Sequence, residues 1–381
     1  MIAFIDLSAQ QQRIRPQVEA ALLRVLDHGQ YIMGPEVFEL EASLAQYCNV
    51  KHVITCANGT DALVLGLMAL NVKPGDAIFV PSFTFAATAE VVTLVGATPV
   101  FVDVLPDTYN LDPLKLEKAI DLARKHGLKP TGIIPVDLFG QPADHMQIEK
   151  VAKQHGLWSM VDAAQSFGST YRGRRAGGYG RLTTTSFFPA KPLGCYGEGG
   201  AIFTNDTELA ETLRSLRIHG QGRDKYDNVR IGMNGRLETM QAAILLQKLD
   251  IFDDELERRQ VIAKRYTEGL RDIVSTPVVI PRTTSSWAQY TISLGPSVDR
   301  NMLVQAMEAA DIPTMIYYVK GLHEQPAYLS YPRGDMSVTE SLSQQVLSLP
   351  MHPYLEEAVQ MHIIETLRSA ISSSKPMRMV G

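Results

Sequence analysis

The amino-acid sequence predicts an α/β protein with a large, mostly parallel β-sheet domain and a smaller α+β domain. Two observations support this fold class. Through the first 250 residues, short apolar runs alternate with helical patterns, and such alternation is typical of parallel sheets with helices on both faces. Further along the chain, strand candidates are followed by helices, which is typical of α+β domains. We therefore expect a large domain over 1–250 and a small C-terminal domain over 251–381.

The individual elements are predicted from hydrophobic periodicity. In the large domain we expect helices at 12–30, 36–48, 62–70, 86–95, 113–126, 145–155, 208–216 and 238–249. Strands are expected there at 52–56, 77–80, 99–103, 132–136, 157–162 and 202–204. In the small domain we expect strands at 278–280 and 290–294, helices at 255–270, 302–310, 338–348 and 355–370, and a frayed tail from Ser372 onward.

Composition narrows the class of protein. Hydrophobic residues make up 45% and charged residues 20% of the chain, as is usual for a soluble globular protein. A formal net charge of -5 gives no reason to expect a nucleic-acid partner. The three cysteines, Cys48, Cys56 and Cys195, lack metal-ligand spacing, so we expect no metal and a reduced, cytoplasmic setting. Because no apolar run reaches membrane-spanning length and no signal peptide is evident, we expect no membrane partner.

A single lysine lies between an aromatic pair and a glycine-rich run in the segment 186–200, SFFPAKPLGCYGEGG. Apolar neighbours lower the pKa of a lysine and so free its amine to attack a carbonyl. Lys191 is therefore a candidate Schiff-base lysine, for which pyridoxal 5'-phosphate (PLP) is the natural partner. An ordinary loop lysine beside a glycine turn would give the same pattern, so this segment alone leaves both interpretations open.

The turn after the first predicted strand contains Gly59 and Thr60 at the start of a helix. Glycine allows a close approach to the backbone, and the free N–H groups and dipole of a helix N-terminus favour a phosphate. A plain helix cap is the alternative and the commoner use of such residues.

Three further candidates follow strand ends. Asp162 closes an apolar strand, and its carboxylate there needs a positive partner, such as a protonated pyridine nitrogen. Gln165, three residues later, is placed to bond the ring oxygen, while the alternative for Asp162 is a helix cap. Phe85 is either core or a ring that stacks on a flat cofactor. Because ligands gather beyond the carboxyl ends of parallel strands, we expect these residues to meet the Gly59 turn and the Lys191 loop.

With Gly59-Thr60, Asp162-Ala163-Ala164-Gln165 and Ser186…Lys191 in this order, the chain resembles the DegT/DnrJ/EryC1/StrS family of PLP-dependent sugar aminotransferases. The resemblance extends from residue 4 to residue 354. Within the family it is most similar to enzymes acting on UDP-2-acetamido-2-deoxy-3-oxo-glucuronate in bacterial O-antigen synthesis. It implies PLP-dependent transferase fold type I, the fold of aspartate aminotransferase, and a homodimer whose active sites use both chains.

The resemblance also implies roles for matching positions. Lys191 is the expected Schiff-base lysine and proton carrier. Asp162 is expected to pair with the pyridine nitrogen, Gln165 to bond the ring oxygen and Phe85 to stack on the ring.

Other matching positions concern the phosphate and the substrate. Gly59, Thr60 and Ser186 are expected to hold the cofactor phosphate, assisted by Asn234 from the partner subunit. Arg236 matches a family arginine near the sugar nucleotide. Similar arginines occur across the family, so Arg236 does not by itself indicate a carboxylated sugar.

The sequence departs from the family at Tyr317 and Val319, where the glucuronate enzymes are expected to have histidine and proline. This region is expected to line the sugar site, so the departure leaves the exact substrate open. Tyr318 and His323 are candidate substrate contacts, although a lone histidine is more often structural.

The expected function is transfer of an amino group from glutamate to a nucleotide-linked keto sugar, with a UDP-linked 3-keto sugar favoured. Four alternatives stay open: a C4 aminotransferase, a dTDP-3-keto-sugar aminotransferase, a PLP-dependent lyase or deoxygenase, and a non-catalytic binding protein. Deoxygenase relatives replace the lysine with histidine, and a binding protein would be expected to lose Lys191 or Asp162. Both residues are present.

Overall fold

The computed structural model describes residues 2–224, 226–296 and 298–374. Its helices are α1 (Leu7–His28), α2 (Pro35–Cys48), α3 (Gly59–Ala69), α4 (Ala87–Leu94), α5 (Leu116–Lys125), α6 (His145–His155), α7 (Thr207–Leu216), α8 (Thr239–Leu270), α9 (Arg300–Ala309), α10 (Ser337–Gln345) and α11 (Glu357–Ser374). Its strands are β1 (His52–Cys56), β2 (Asp76–Pro81), β3 (Thr98–Val102), β4 (Lys129–Ile133), β5 (Trp158–Asp162), β6 (Thr170–Tyr171), β7 (Arg174–Arg175), β8 (Leu182–Ser186), β9 (Gly200–Thr204), β10 (Thr283–Thr284), β11 (Tyr290–Ser293) and β12 (Val346–Leu349).

A seven-stranded sheet forms the centre of the molecule, in the order β1-β9-β8-β5-β4-β2-β3. Neighbours from β8 through β3 pair in parallel, whereas β9 is antiparallel to both β1 and β8. The predicted large, mostly parallel sheet is therefore confirmed. The parallel part brings the carboxyl ends of β2, β5 and β8 to one edge, where ligands bind in such sheets.

Helices cover both faces of this sheet, as the alternation of side chains along each strand requires. In β2, Ile78 and Val80 pack with α3, α4 and α7, whereas Ala77 and Phe79 pack with α5 and α6 on the other face. Helices α2 and α8 cover the β1–β9 end of that second face. The sheet is thus buried on both sides, and its functional groups are exposed only at strand ends.

Helix α8 joins the two parts of the molecule. The predicted break between helices at 238–249 and 255–270 is wrong, because α8 is continuous for 32 residues. Phe252 and Leu256 extend its buried stripe against α2, and Tyr266 and Leu270 pack into the C-terminal core with β11, β12 and α11. The division at residue 250 stays a prediction, and α8 runs through that position.

Two predicted elements of the small domain are also wrong. Residues 278–280 form no strand, and the short strand β10 lies further on, paired with β6. The predicted helix at 338–348 ends at Gln345, because Val346–Leu349 pairs with β11 as strand β12. Of the expected frayed tail, α11 continues to Ser374, and residues 375–381 lie outside the described part. In that described part no helix combines the length and apolarity needed to cross a bilayer.

Candidate active site

The predicted site residues come together at the carboxyl edge of the central sheet. Asp162, the last residue of β5, lies in register with Thr184 of β8. Two residues later β8 ends at Ser186, which pairs with Gly200 of β9, and Gly200 pairs in turn with Cys56 at the end of β1. The turn that leads from β1 into α3 therefore lies next to the end of β8.

The N-terminus of α3 lies directly against Ser186. A Cβ atom built on Gly59 would lie 2.6 Å from the Ser186 Cβ, so this position has room only for glycine. The Asn58 side chain caps the helix by accepting a hydrogen bond from the Asp61 N–H at 2.7 Å. The N–H groups of Gly59 and Thr60 precede any intrahelical acceptor, and a Cβ built on Gly59 would lie 3.1 Å from the Ser186 Oγ. This arrangement makes an anion cradle.

Asp162 is 6% exposed, and two donors hold its carboxylate. One oxygen, Oδ1, accepts from the Ala164 N–H at 3.1 Å, and Oδ2 accepts from the Thr88 hydroxyl at 2.9 Å. Burial raises the pKa of this carboxyl, while the two hydrogen bonds and the charge of Lys191 act in the opposite direction. The carboxylate is thus kept in place at the floor of the site.

Lys191 lies in a loop that is held by backbone hydrogen bonds from Phe187 N to Gly199 O (2.7 Å), Cys195 N to Phe187 O (2.8 Å) and Lys191 N to Phe188 O (2.9 Å). Burial lowers the pKa of the Lys191 ammonium, and the Asp162 carboxylate acts to raise it. A lysine in these surroundings is more easily neutralised, and the neutral amine is the nucleophilic form.

Comparison with known proteins agrees with this arrangement. Residues 12–368 match the DegT/DnrJ/EryC1/StrS aminotransferase family. The chain belongs to this family. UDP-2-acetamido-2-deoxy-3-oxo-D-glucuronate aminotransferase of Pseudomonas aeruginosa is 48% identical, with 94% of this chain and 97% of the relative covered. The pleiotropic regulatory protein of Geobacillus stearothermophilus is 41% identical, with 96% and 97% covered. A crystal structure of a family aminotransferase from Brucella abortus superposes with a TM-score of 0.95 at 53% identity, with 97% of this chain and 99% of that chain covered.

Membership of the DegT/DnrJ/EryC1/StrS family makes the protein a PLP-dependent aminotransferase of fold type I, as the sequence predicted. Solved relatives contain PLP or its amino form, pyridoxamine phosphate. The residues present fit this cofactor. The Gly59–Ser186 contact leaves a glycine-lined seat for the phosphate, and buried Asp162 matches the ring nitrogen. Lys191 supplies the amine.

Gln165 and Tyr318 lie together beside this site. The Gln165 Oε1 accepts from the Phe139 N–H at 2.6 Å, and the Gln165 carbonyl accepts from the Ser286 hydroxyl at 2.7 Å. Burial raises the pKa of the Tyr318 hydroxyl, and a hydrogen bond with the Gln165 side chain acts to lower it. The Asp162 charge also acts to raise the pKa of Tyr318, and a substrate contact of this tyrosine stays a prediction.

A backbone hydrogen bond brings the segment 234–236, which contains Asn234 and Arg236, to the site. The Ala57 N–H donates to the Gly235 carbonyl at 3.1 Å, which places this segment beside the β1–α3 turn of its own chain. Asn234 is exposed. The Arg236 Nε is buried and has no hydrogen-bond partner among the described residues, which is unusual for a buried polar atom.

Two aromatic side chains have the position expected of a site rim. Phe85 follows the end of β2 and is 60% exposed, and Phe188, in the lysine loop, is 47% exposed. Exposing a large apolar side chain to water is unfavourable in free energy. A ligand or a partner chain that covered these two rings would remove this cost.

His323 is buried, at 4% exposure, with Nδ1 2.6 Å from the Ser82 hydroxyl and Nε2 3.3 Å from Glu340. Both ring nitrogens are occupied, and the Leu322 N–H also bonds the Ser82 carbonyl at 2.8 Å. His323 thus joins the 321–324 turn to the end of β2. These contacts favour the structural alternative, and a substrate contact of His323 stays a prediction.

Asn58, part of the turn that the sequence indicated, caps α3 and so orients the cradle. Sequence reasoning missed Thr88, which bonds Asp162 from a helix 74 positions earlier in the chain. The available signal for Thr88 was a hydroxyl residue at the start of the helix that follows Phe85. Nothing in the sequence indicates that its hydrogen-bond partner is Asp162.

Proposed function

We propose that this aminotransferase converts a nucleotide-linked keto sugar to the amino sugar, with glutamate as amino donor. The favoured substrate is a UDP-linked 3-keto sugar such as UDP-2-acetamido-2-deoxy-3-oxo-glucuronate. The observation that carries the proposal is the electrostatic interaction of Lys191 with buried Asp162 at the sheet edge, in a chain 48% identical to an enzyme named for that substrate.

The side chains divide the chemistry among them. PLP, when bound, supplies an aldehyde carbon that accepts the amino group and a ring that accepts electrons. The Lys191 amine would hold this cofactor and, once free, would move the proton on and off the reacting carbon. Asp162 would keep the ring nitrogen protonated. Gln165 would orient the ring oxygen, and Phe85 would cover the face of the ring and exclude water.

The phosphate is held by Gly59, Thr60 and Ser186. Helix N–H groups suit a dianionic phosphate because the helix dipole adds to their hydrogen bonds. The Ser186 Oγ accepts from the Phe188 N–H at 3.2 Å, which leaves its own proton available to donate to the phosphate.

We assign the substrate side to Arg236 and Tyr318. The unpartnered Arg236 Nε suits an anionic group of the sugar nucleotide, because guanidinium donors pair with phosphate and carboxylate. Tyr318, which interacts with the Gln165 side chain, is the second residue that we assign to the sugar.

We further propose a homodimer in which Asn234 of one chain assists the phosphate site of the other. Ile231, three residues before Asn234, is 86% exposed. Like Phe85 and Phe188, it is a large apolar side chain that is left exposed, as is typical of a surface that a partner covers. The proposed setting is the cytoplasm, in the synthesis of amino sugars for a bacterial surface polysaccharide such as O-antigen.

The test is a panel of UDP- and dTDP-linked 3-keto and 4-keto sugars assayed with glutamate. We expect the UDP-linked 3-keto sugar to be aminated fastest. Lys191→Ala should lose the visible absorbance of lysine-bound PLP. Its turnover should fall by about 100-fold to 10,000-fold, the usual contribution of a positioned proton carrier. Lys150→Ala, at an exposed lysine of α6, is the matched control.

Two outcomes would contradict the proposal. Normal turnover by Lys191→Ala would remove the assigned role of this lysine. Faster amination of a 4-keto or dTDP-linked sugar would show that the UDP-linked 3-keto sugar is not the preferred substrate. Glutamate should also bleach the absorbance of the wild-type enzyme, whereas a PLP-binding regulatory protein would keep it unchanged.

A further inference from the structure

We propose that Thr88 is a positioning residue that orients the Asp162 carboxylate for the cofactor's ring nitrogen. It does so by donating its hydroxyl proton to Oδ2. The inference rests on the proposed role of Asp162, and it assigns to α4 an indirect part in cofactor binding, through that carboxylate.

The contact is specific in its geometry. Thr88 lies in the first turn of α4 and is fully buried, and its Oγ1 is 2.9 Å from the Asp162 Oδ2. The Ala164 N–H reaches the other oxygen, Oδ1, at 3.1 Å. Because the two donors come from different elements and bind different oxygens, they prevent rotation of the carboxylate about its Cβ–Cγ bond.

The surroundings of Thr88 make this use of its hydroxyl significant. Its neighbours on α4, Ala89, Val91 and Val92, belong to the apolar core. A hydroxyl buried there costs free energy unless it is hydrogen-bonded. Here the hydroxyl is satisfied by the Asp162 carboxylate at the end of β5.

The position of Thr88 also links two proposed functions of one short segment. Phe85 lies three residues earlier at the exposed rim. The 85–88 segment thus offers an aromatic ring to the face of a flat ligand and a hydroxyl to the carboxylate below it.

Loss of the hydroxyl has a defined electrostatic consequence. The Thr88 hydrogen bond is one of the interactions that lower the pKa of Asp162 against the raising effect of burial. Without it the carboxylate is more readily protonated and free to turn, so it holds a protonated ring nitrogen less well.

The experiment compares Thr88→Val, which keeps the shape and removes the hydroxyl, with Thr88→Ser, which keeps the hydroxyl. PLP is titrated into each apo-enzyme to obtain Kd, and the absorbance spectrum of the bound cofactor is recorded against pH. Thermal unfolding of the apo-enzymes is measured in parallel.

We expect Thr88→Val to weaken PLP binding on the order of tenfold, as losses of an outer-shell partner do at metal sites, and to alter the pH dependence of the spectrum. Thr88→Ser should stay within about threefold of the wild type, since it retains the donor.

The outcomes separate this inference from the proposed function. Equal losses in Thr88→Val and Thr88→Ser, or a lowered melting temperature with unchanged Kd and spectrum, would overturn the role of Thr88. Asp162→Asn is titrated alongside. If Asp162→Asn binds PLP normally, the role of Asp162 itself fails, whereas an impaired Asp162→Asn beside a normal Thr88→Val overturns only the present inference. Thr88→Cys, with a weak donor of similar size, replaces Thr88→Val if that variant does not fold.

Discussion

At the scale of single residues, burial acts on Lys191 and Asp162 in opposite directions. It lowers the pKa of the ammonium and raises the pKa of the carboxyl, and each charge opposes the shift of the other. The Thr88 and Ala164 donors favour the ionised carboxylate, whereas among the described residues the Asp162 charge is the one interaction that favours the Lys191 ammonium. The hydrogen bonds therefore oppose protonation of Asp162, and burial makes the neutral amine of Lys191 easier to form.

The first prediction concerns the pH at which Lys191 becomes reactive. Only the neutral amine attacks the PLP aldehyde, so the rate at which apo-enzyme combines with PLP should rise with pH. Because burial lowers the pKa of Lys191 from its ordinary value of 10.5, the midpoint of this rise should fall below pH 10.5. Stopped-flow absorbance at a series of pH values measures it.

Asp162→Asn provides the comparison for this pH profile. Removal of the carboxylate takes away the charge that raises the pKa of Lys191, so the midpoint should move further down. A wild-type midpoint at or above pH 10.5, or an upward shift in the variant, would contradict the electrostatic account.

At the scale of elements, the start of α3 and the end of β8 form one unit. Their contact depends on Gly59, whose missing side chain allows Ser186 to approach. Asn58 then caps the helix without using the N–H groups of Gly59 and Thr60. A strand end and a helix start together make a phosphate seat that neither provides alone.

The second prediction is that Gly59→Ala selectively weakens binding through the phosphate. The added Cβ would lie 2.6 Å from the Ser186 Cβ, and relieving such overpacking costs about 1–3 kcal/mol. Equilibrium titration of apo-enzyme with PLP and with pyridoxal, which has no phosphate, gives both affinities. We expect a clear loss for PLP and little change for pyridoxal.

Gly334→Ala is the matched control, because nothing lies within 4 Å of a Cβ at that position. It should bind both compounds as the wild type does. Equal loss of PLP and pyridoxal in Gly59→Ala would show that the cradle does not hold the phosphate.

At the scale of the whole molecule, the open question is which chain completes each site. The Gly235 carbonyl bonds Ala57 of its own chain, so Asn234 lies near its own phosphate seat. Yet Asn234 and its neighbour Ile231 are exposed, and both are available to a second subunit. A shared site and a self-contained site make opposite predictions for mixed dimers.

The third prediction is that two inactive variants restore each other. Lys191→Ala lacks the amine, and Asn234→Asp places a negative charge where the phosphate is expected. If Asn234 serves the partner's site, a mixed dimer contains one intact site with Lys191 and Asn234 from different chains. Co-expression with two affinity tags and assay of the purified mixed dimer should then give about half of the wild-type activity.

A self-contained site gives a different result in the same experiment. Each chain of the mixed dimer would then carry one defect in its own site, and activity would stay at background. The two parental homodimers, assayed under the same conditions, set that background.

Local elements were predictable where the pattern and the packing agree. Strand β1 begins and ends as expected, at His52 and Cys56, because its short apolar run is bounded by polar turn residues. Helix α8 was not, since the acidic residues around 250–254 resemble a break, whereas buried Phe252 and Leu256 continue its apolar stripe. Strand β12 continues a helical pattern and becomes a strand only because β11 pairs with it.

The candidate site likewise contains residues that local sequence indicates and contacts that only packing creates. Lys191, Asp162 and the Gly59 turn carry chemistry in their own residue types and lie at strand ends, so the sequence by itself determined the cofactor class and indicated the candidate anchors. The carboxylate's donor Thr88, the contact of Gly59 with Ser186 and the burial of His323 were decided only by tertiary structure. The physical reason is range: periodicity and turn chemistry act over a few residues, whereas these contacts join residues that are far apart in the chain and meet only when the sheet forms.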